Sequence, residues 1–197
     1  MHPIIHHFSN FLFIKFLQRE AQSHNGLLDY ICEVGAPTKL VADNSKTQNG
    51  KKWTNTCRIY AIEQGNTVPD NQNQNCAERK IQVVKAKSGA PLSFWCYGMA
   101  YIVDCLNHSA AKSLQWRMPM EVHHGDTRDI SMFRFHFWQP VEVYSQRPKF
   151  PASKLIPARF IGIAWNSGNA FTYRVWTEPD EEGWTNGKEL IRNFVQP

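Results

Sequence analysis

The feature that most constrains this chain is a change of texture near Pro119. Ahead of it, short apolar runs alternate with segments of helical period. Behind it come runs rich in β-branched and aromatic residues, separated by Pro, Gly or Asn. The first pattern predicts an α/β arrangement and the second a small β-barrel or open β module. The expected division of the 197 residues is therefore 1–125 and 126–197.

Within the first part, Pro3–His7 reads as a strand, Phe8-Ser9-Asn10 as a turn and Phe11–Leu17 as a second strand. Arg19–Val34 reads as a helix, with Leu27, Leu28, Ile31 and Val34 at helical spacing. Gly35-Ala36-Pro37 stops it. Lys39–Ala42 is a short apolar strand that runs directly into Asp43. Asn49–Gln64 is again helix-like, with Trp53, Cys57, Tyr60 and Ala61 on one face, and Asn66–Val68 is a short strand. Pro69–Gln74 is a polar loop. Helices are expected over Asn75–Ala86 and Leu92–Leu106, divided by Ser88-Gly89-Ala90-Pro91. In the second part, Phe133–Phe137, Val141–Tyr144, Arg159–Ile163 and Phe171–Trp176 read as strands, and Glu178–Gly183 as an acidic loop.

Several classes are excluded or disfavoured by composition. No run approaches the roughly 18–20 apolar residues of a membrane helix, so no membrane partner is expected. Met1–His7 lacks the basic and apolar regions of a secretory signal, which points to an intracellular protein. Five cysteines with no C-x-x-C pair read as buried, reduced thiols. The net charge is +5, and the excess lies in residues 1–125, with 13 Lys+Arg against 9 Asp+Glu. Those residues are the better candidates for touching phosphates.

Asp43 ends a strand and Glu78 stands near the start of a helix, 35 positions on. In sheets carrying parallel strands, the C-terminal edge faces the crevice where ligands bind. Two carboxylates on separate elements suit Mg²⁺, a hard cation that prefers oxygen ligands. Two metals so held can activate one oxygen and stabilise the leaving oxygen of an in-line phosphoryl displacement. Glu78, Gln82 and Lys85 share one helical face, while Ala77, Ile81 and Val84 share the apolar one. Arg79 and Lys80 add charge beside them. Spacing alone is common to most α/β proteins and does not single out catalysis.

The surrounding segments are more specific. Val34–Asn44 resembles the strand-to-Asp-Asn segment of retroviral-type integrases. Asn71–Lys80, ending Cys76-Ala77-Glu78-Arg79-Lys80, resembles the Gln-Asn-Gly-x-x-Glu-Arg-Lys segment of copia-type LTR retrotransposon integrases. Phe8–Phe11 with Phe16-Leu17, then Leu106-Asn107-His108 and Trp116–Pro119, are similar to further segments of that core, in the family's order. The match covers about residues 3–125. Ala158–Gly162 is more loosely similar to the module that follows such cores.

The resemblance implies an RNase H-like mixed sheet flanked by helices, followed by a small β-rich module. It implies Mg²⁺ or Mn²⁺ chemistry, namely trimming of DNA ends and strand transfer, in a homo-oligomeric full-length integrase acting on nuclear DNA. By motif position Asp43 and Glu78 are the second and third catalytic, metal-binding carboxylates. Asn44, Gln74, Asn75, Arg79, Lys80, Gln82 and Lys85 fall on the nucleic-acid side. The sequence departs from the pattern in two places. Cys76 stands where the family has glycine, which reaches backbone angles that other residues avoid. The family's first Asp lies on a strand upstream of the segment matched by Pro3–Phe8, and here no Asp precedes Asp29. That strand is expected to be missing and the metal site of residues 1–197 incomplete. The alternative is a catalytically inactive remnant acting only as a nucleic-acid-binding or protein-interaction module.

Other features have plainer readings. His6-His7 suits zinc better than Mg²⁺ and reads as an ordinary strand pair. His123-His124 with Asp126 reads as an exposed linker. Trp138, Trp165, Trp176 and Trp184 read as packing of the β module rather than as stacking surfaces for bases.

Overall fold

A computed structural model describes residues 2–6, 8–42, 50–66, 90–144, 154–167, 171–177, 187–193 and 195–197. The chain forms two compact units, Met1–Lys85 and Ala86–Pro197.

The first unit opens with a hairpin. Strand β1 (His2–Ile5) pairs antiparallel with β2 (Leu12–Lys15), in the register Ile5↔Leu12. Asn10 turns the chain at φ 54°, a left-handed conformation that Asn tolerates better than most residues. The hydroxyl of fully buried Ser9 donates to His6 Nδ1 at 2.8 Å, so His6 is spent on the turn. A 3-10 turn (Glu20–Gln22) then leads into helix α1 (Ser23–Glu33). The helix proper therefore starts four residues later than the spacing predicts. Ser23, Gly26, Leu27 and Tyr30 form its buried stripe at the i, i+3, i+4, i+7 positions. Tyr30 meets Phe13 of β2 edge to face, with ring centroids 5.4 Å apart. Gly35, at φ 112°, ends the helix, and its N–H donates to the Ile31 carbonyl.

A strand–helix–strand unit follows. Strand β3 (Lys39–Ala42), helix α2 (Lys51–Ile59) and strand β4 (Glu63–Asn66) place the two strands parallel, in register from Lys39↔Glu63 to Ala42↔Asn66. Leu27, Trp53, Cys57 and Ile62 form the core between α1 and α2, with Ile31 and Leu40 against it. The expectation that α2 continues to Gln64 is corrected. The helix stops at Ile59 and Ala61 takes φ 53°. This reversal buries Ile62, whose N–H donates to the Cys57 carbonyl, and commits Glu63 and Gln64 to β4. Tyr60 and Ala61, expected on the apolar face, are exposed. The unit is α/β with mixed pairing, and among the described residues β1–β2 and β3–β4 are two separate two-stranded sheets. The loop expected over 69–74, the helix expected over 75–86 and the acidic loop at 178–183 lie outside the described residues.

The second unit is built on a five-stranded antiparallel sheet in the order β8-β7-β6-β5-β9. Its strands are β5 (Pro140–Tyr144), β6 (Leu155–Ile163), β7 (Tyr173–Thr177), β8 (Glu189–Arg192) and β9 (Val195–Gln196). Strand β5 alternates exposed and buried residues, as a sheet with one covered face requires. In β6 a register shift between Phe160 and Gly162 breaks that alternation, so Phe160, Ile161 and Ile163 are all buried.

The covering element is helix α3 (Trp95–Asn107), entered through a 3-10 turn at Leu92–Phe94. Tyr101 packs edge to face on Phe160 at 5.2 Å, and its hydroxyl donates to the Phe135 carbonyl at 2.6 Å. Gly98 lets Phe137 approach, since a Cβ there would lie 3.0 Å from the ring. The apolar face of α3 thus packs within the unit that holds the sheet, and the compact units divide ahead of residues 125/126. Phe133–Phe137, read as a strand, is not one. These residues fold as turns that push Phe135 into the core, and the Trp138 N–H donates to the Phe160 carbonyl. Short helix α4 (Pro119–His124) begins with proline, whose missing N–H costs nothing there, and ends at Gly125 with φ 84°.

Candidate metal and nucleic-acid site

The parallel pair β3–β4 ends one residue ahead of the candidate carboxylate Asp43. Parallel strands end on the same edge, and Ala42 and Asn66, the last residues of β3 and β4, are register partners. Asp43 is the next residue after Ala42, and Glu78 follows Asn66 by 12 positions. Asp43, Asn44, Gln74, Asn75, Glu78, Arg79, Lys80, Gln82 and Lys85, with Cys76, lie outside the described residues. Among the described residues no group of three or more His, Cys, Asp or Glu could hold a metal ion. His123 and His124 stand with their rings 4.8 Å apart and join no such group.

At the opposite edge of the pair the local chemistry is legible. Lys39 Nζ donates to Glu63 Oε1 at 2.6 Å, which ties the start of β3 to the start of β4. Both side chains are more than half exposed, so solvent screens the pair. Burial pushes the Cys57 thiol up from its ordinary value, and a hydrogen bond with Gln64 opposes the shift. A protonated buried thiol suits packing rather than nucleophilic chemistry. The four described cysteines are free thiols, and against expectation Cys32 and Cys96 are exposed.

A second constellation stands in the unit Ala86–Pro197, where the sequence singled out no site. Asp104 of α3 accepts a 2.8 Å hydrogen bond from Trp165 Nε1. Burial raises its pKa from 3.8 to about 6, against the opposing pull of that hydrogen bond and of Arg174. One turn on, His108 donates from Nδ1 to the Asp104 carbonyl at 2.7 Å and stacks on Trp165 at 5.4 Å, nearly parallel. Its Nε2 is buried and has no hydrogen-bond partner among the described residues, and burial holds its pKa below the ordinary value. Asp104 was legible only as a lone acid interrupting an apolar helix, and Trp165 was expected to be core. Trp165 is instead 42% exposed and clasps the helix. Trp138 and Trp176 do pack, both against Phe94, with ring centroids at 4.5 and 5.0 Å.

No family model matches the chain. No curated protein matches it either. Solved structures do. An intasome of simian T-cell lymphotropic virus, in complex with a PP2A regulatory subunit, is similar at 13% identity and a TM-score of 0.48, over 98% of this chain and 72% of that one. The magnesium-bound catalytic core domain of HTLV-2 integrase is similar in its trimeric form at 15% identity and a TM-score of 0.45, over 61% of this chain and 81% of that one. Its dimeric form is similar at 16% identity and a TM-score of 0.44, over 62% and 81%.

Proposed function

We propose that residues 1–125 are an integrase core of the copia-type LTR retrotransposon kind, RNase H-like in design, and that residues 126–197 are its following β-rich module. The chain binds DNA, and in complete, homo-oligomeric form it performs metal-dependent end processing and strand transfer in the nucleus. The observation that carries this reading is the register pairing of Ala42 with Asn66. Both strands end on one edge of the pair, the edge where α/β sheets place their ligands, and Asp43 is the next residue in the sequence. The motifs around both carboxylates support it.

Asp43 and Glu78 offer the hard oxygen donors that Mg²⁺ or Mn²⁺ prefers. When bound, the metal would supply charge stabilisation for phosphoryl displacement. Asn44, Gln74, Asn75, Arg79, Lys80, Gln82 and Lys85 would position the DNA backbone. A third carboxylate, on a strand ahead of β1, is needed for full activity. The test is a protein extended upstream to carry such a strand and its Asp, assayed for nicking and strand transfer. Activity should require Mg²⁺ or Mn²⁺ and vanish in Glu78→Gln and in Asp43→Asn. An extended protein without activity, or a Glu78→Gln variant with full activity, overturns the assignment.

The second reading is a catalytically inactive remnant that only binds nucleic acid, favoured by the basic excess of residues 1–125. It expects salt-sensitive DNA binding by residues 1–197 and no cleavage by the extended protein.

A further inference from the structure

Helix α2 is amphipathic in an unusual sense. Trp53, Thr56 and Cys57 are buried on one side, whereas Lys51, Lys52, Asn55, Arg58 and Ile59 are exposed on the other. Lys51, Asn55 and Arg58 stand at i, i+4 and i+7, so they line one ridge, with Lys52 and Ile59 flanking it. The helix carries three cations and no acid. None of the three is ion-paired among the described residues, although in the same unit Lys15 pairs with Asp29 at 2.9 Å and Lys39 with Glu63 at 2.6 Å.

Two of the cations stand where they disfavour the helix. Lys51 and Lys52 occupy its first turn, which carries about half a positive charge from aligned peptide dipoles. The preceding Gly50 offers no side-chain cap. An anion at this end would meet two ammonium groups, and Arg58 continues the charge two turns along the ridge. Consecutive phosphates of a nucleic-acid backbone fit such a row of cations, because each contact releases condensed counterions.

We propose that the outer face of α2 is a phosphate-binding strip for nucleic acid, carried by Lys51, Lys52 and Arg58. It lies outside the carboxylate motifs and rests on the reading of the chain as a DNA binder. The strip holds the backbone without reading sequence, since it offers point charges and a single amide, Asn55. It belongs to the connection between β3 and β4, whose last residues, Ala42 and Asn66, are register partners.

The test uses residues 1–197 and a short mixed-sequence DNA duplex, with affinity measured across a salt series. The variant Lys51→Gln/Lys52→Gln/Arg58→Gln changes exposed side chains only, and circular dichroism checks its fold. Lys112→Gln/Lys154→Gln/Lys188→Gln is the control, since it removes the same charge from exposed sites in the other unit. The α2 variant should lose at least about tenfold in affinity at low salt, and its log–log salt slope should shrink by roughly 2–3. The control should change much less. Equal losses in both variants, or an unchanged slope in the α2 variant, overturn the strip and leave DNA binding standing. Wild-type protein that binds no duplex overturns both readings, including when it binds vesicles of anionic lipid.

Discussion

The indole N–H of Trp165 donates a 2.8 Å hydrogen bond to Oδ2 of Asp104, joining the turn after β6 to the helix that covers its sheet. The partnership places a carboxylate in an apolar setting and gives it one good donor. His108 completes the arrangement by stacking on the indole and bonding the Asp104 carbonyl. The β6–β7 turn is thereby held to α3 by polar contacts whose strength depends on protonation.

Stability should therefore vary with pH in a way that Asp104 sets. Its folded pKa, about 6, lies above the ordinary 3.8, so the folded state holds the proton more tightly. The associated stability is full below the ordinary value and is lost as pH rises through about 6. Asp104→Asn removes this loss. At pH 7 it should be more stable than wild type by up to about 3 kcal/mol, and the gap should close near pH 4. Urea denaturation at the two pH values decides it, and a pH-independent gap would refute the account.

Trp165→Phe keeps an aromatic ring and removes the donor. The Asp104 carboxylate then loses a hydrogen bond that favours its charged form, so its pKa should climb above about 6. NMR titration of the side-chain carboxyl reads this directly. His108 works in the opposite direction. Burial depresses its pKa from 6.5, so its contribution is present above that value and is lost as pH falls through the lowered one. The Asp104→Asn variant should display this limb alone.

Phe160 is fully buried and meets the rings of Tyr101, Phe135 and Tyr173. Phe160→Ala should cost about 3–5 kcal/mol, the usual penalty for a buried aromatic and the cavity it leaves. Chemical denaturation followed by tryptophan fluorescence reads the loss in the sheet-bearing unit. A cost below about 1 kcal/mol would mean that this core is loosely packed.

The short Lys39–Glu63 contact should matter little. Both partners are exposed, so Lys39→Ala should lower stability by no more than about 1 kcal/mol. Thermal unfolding in low and high salt would show it. A larger, salt-resistant loss would reveal a role in joining β3 to β4.

Legibility in the sequence followed local chemistry. Strand β3 was read to the residue, because four residues between the Pro37-Thr38 break and the polar run from Asp43 leave one extended segment. Helix α3 was read nearly end to end, since Pro91 opens it and apolar spacing sustains it. Phe133–Phe137 has the composition of a strand, yet its backbone bonds are turn bonds, Phe133 N–H to the Ile130 carbonyl and Gln139 N–H to the His136 carbonyl. The end of α2 was misplaced because helical spacing persists through Gln64, whereas the burial of Ile62 and pairing with β3 pull the chain out of the helix. The candidate carboxylates Asp43 and Glu78 were nominated only through their motifs, and both stand outside the described residues.

By itself the sequence determined the α/β character of the first part, the β-rich character of the last, and the motifs that nominate Asp43 and Glu78. These depend on periodicity, turn residues and local residue order, which a chain carries whatever its tertiary contacts. Only the tertiary structure decided that Ala42 and Asn66 share an edge, that α3 packs with the β sheet, and that Trp165 bonds Asp104. Each of these joins residues distant in the chain, and their pairing depends on which apolar faces find cover, a property no local pattern encodes.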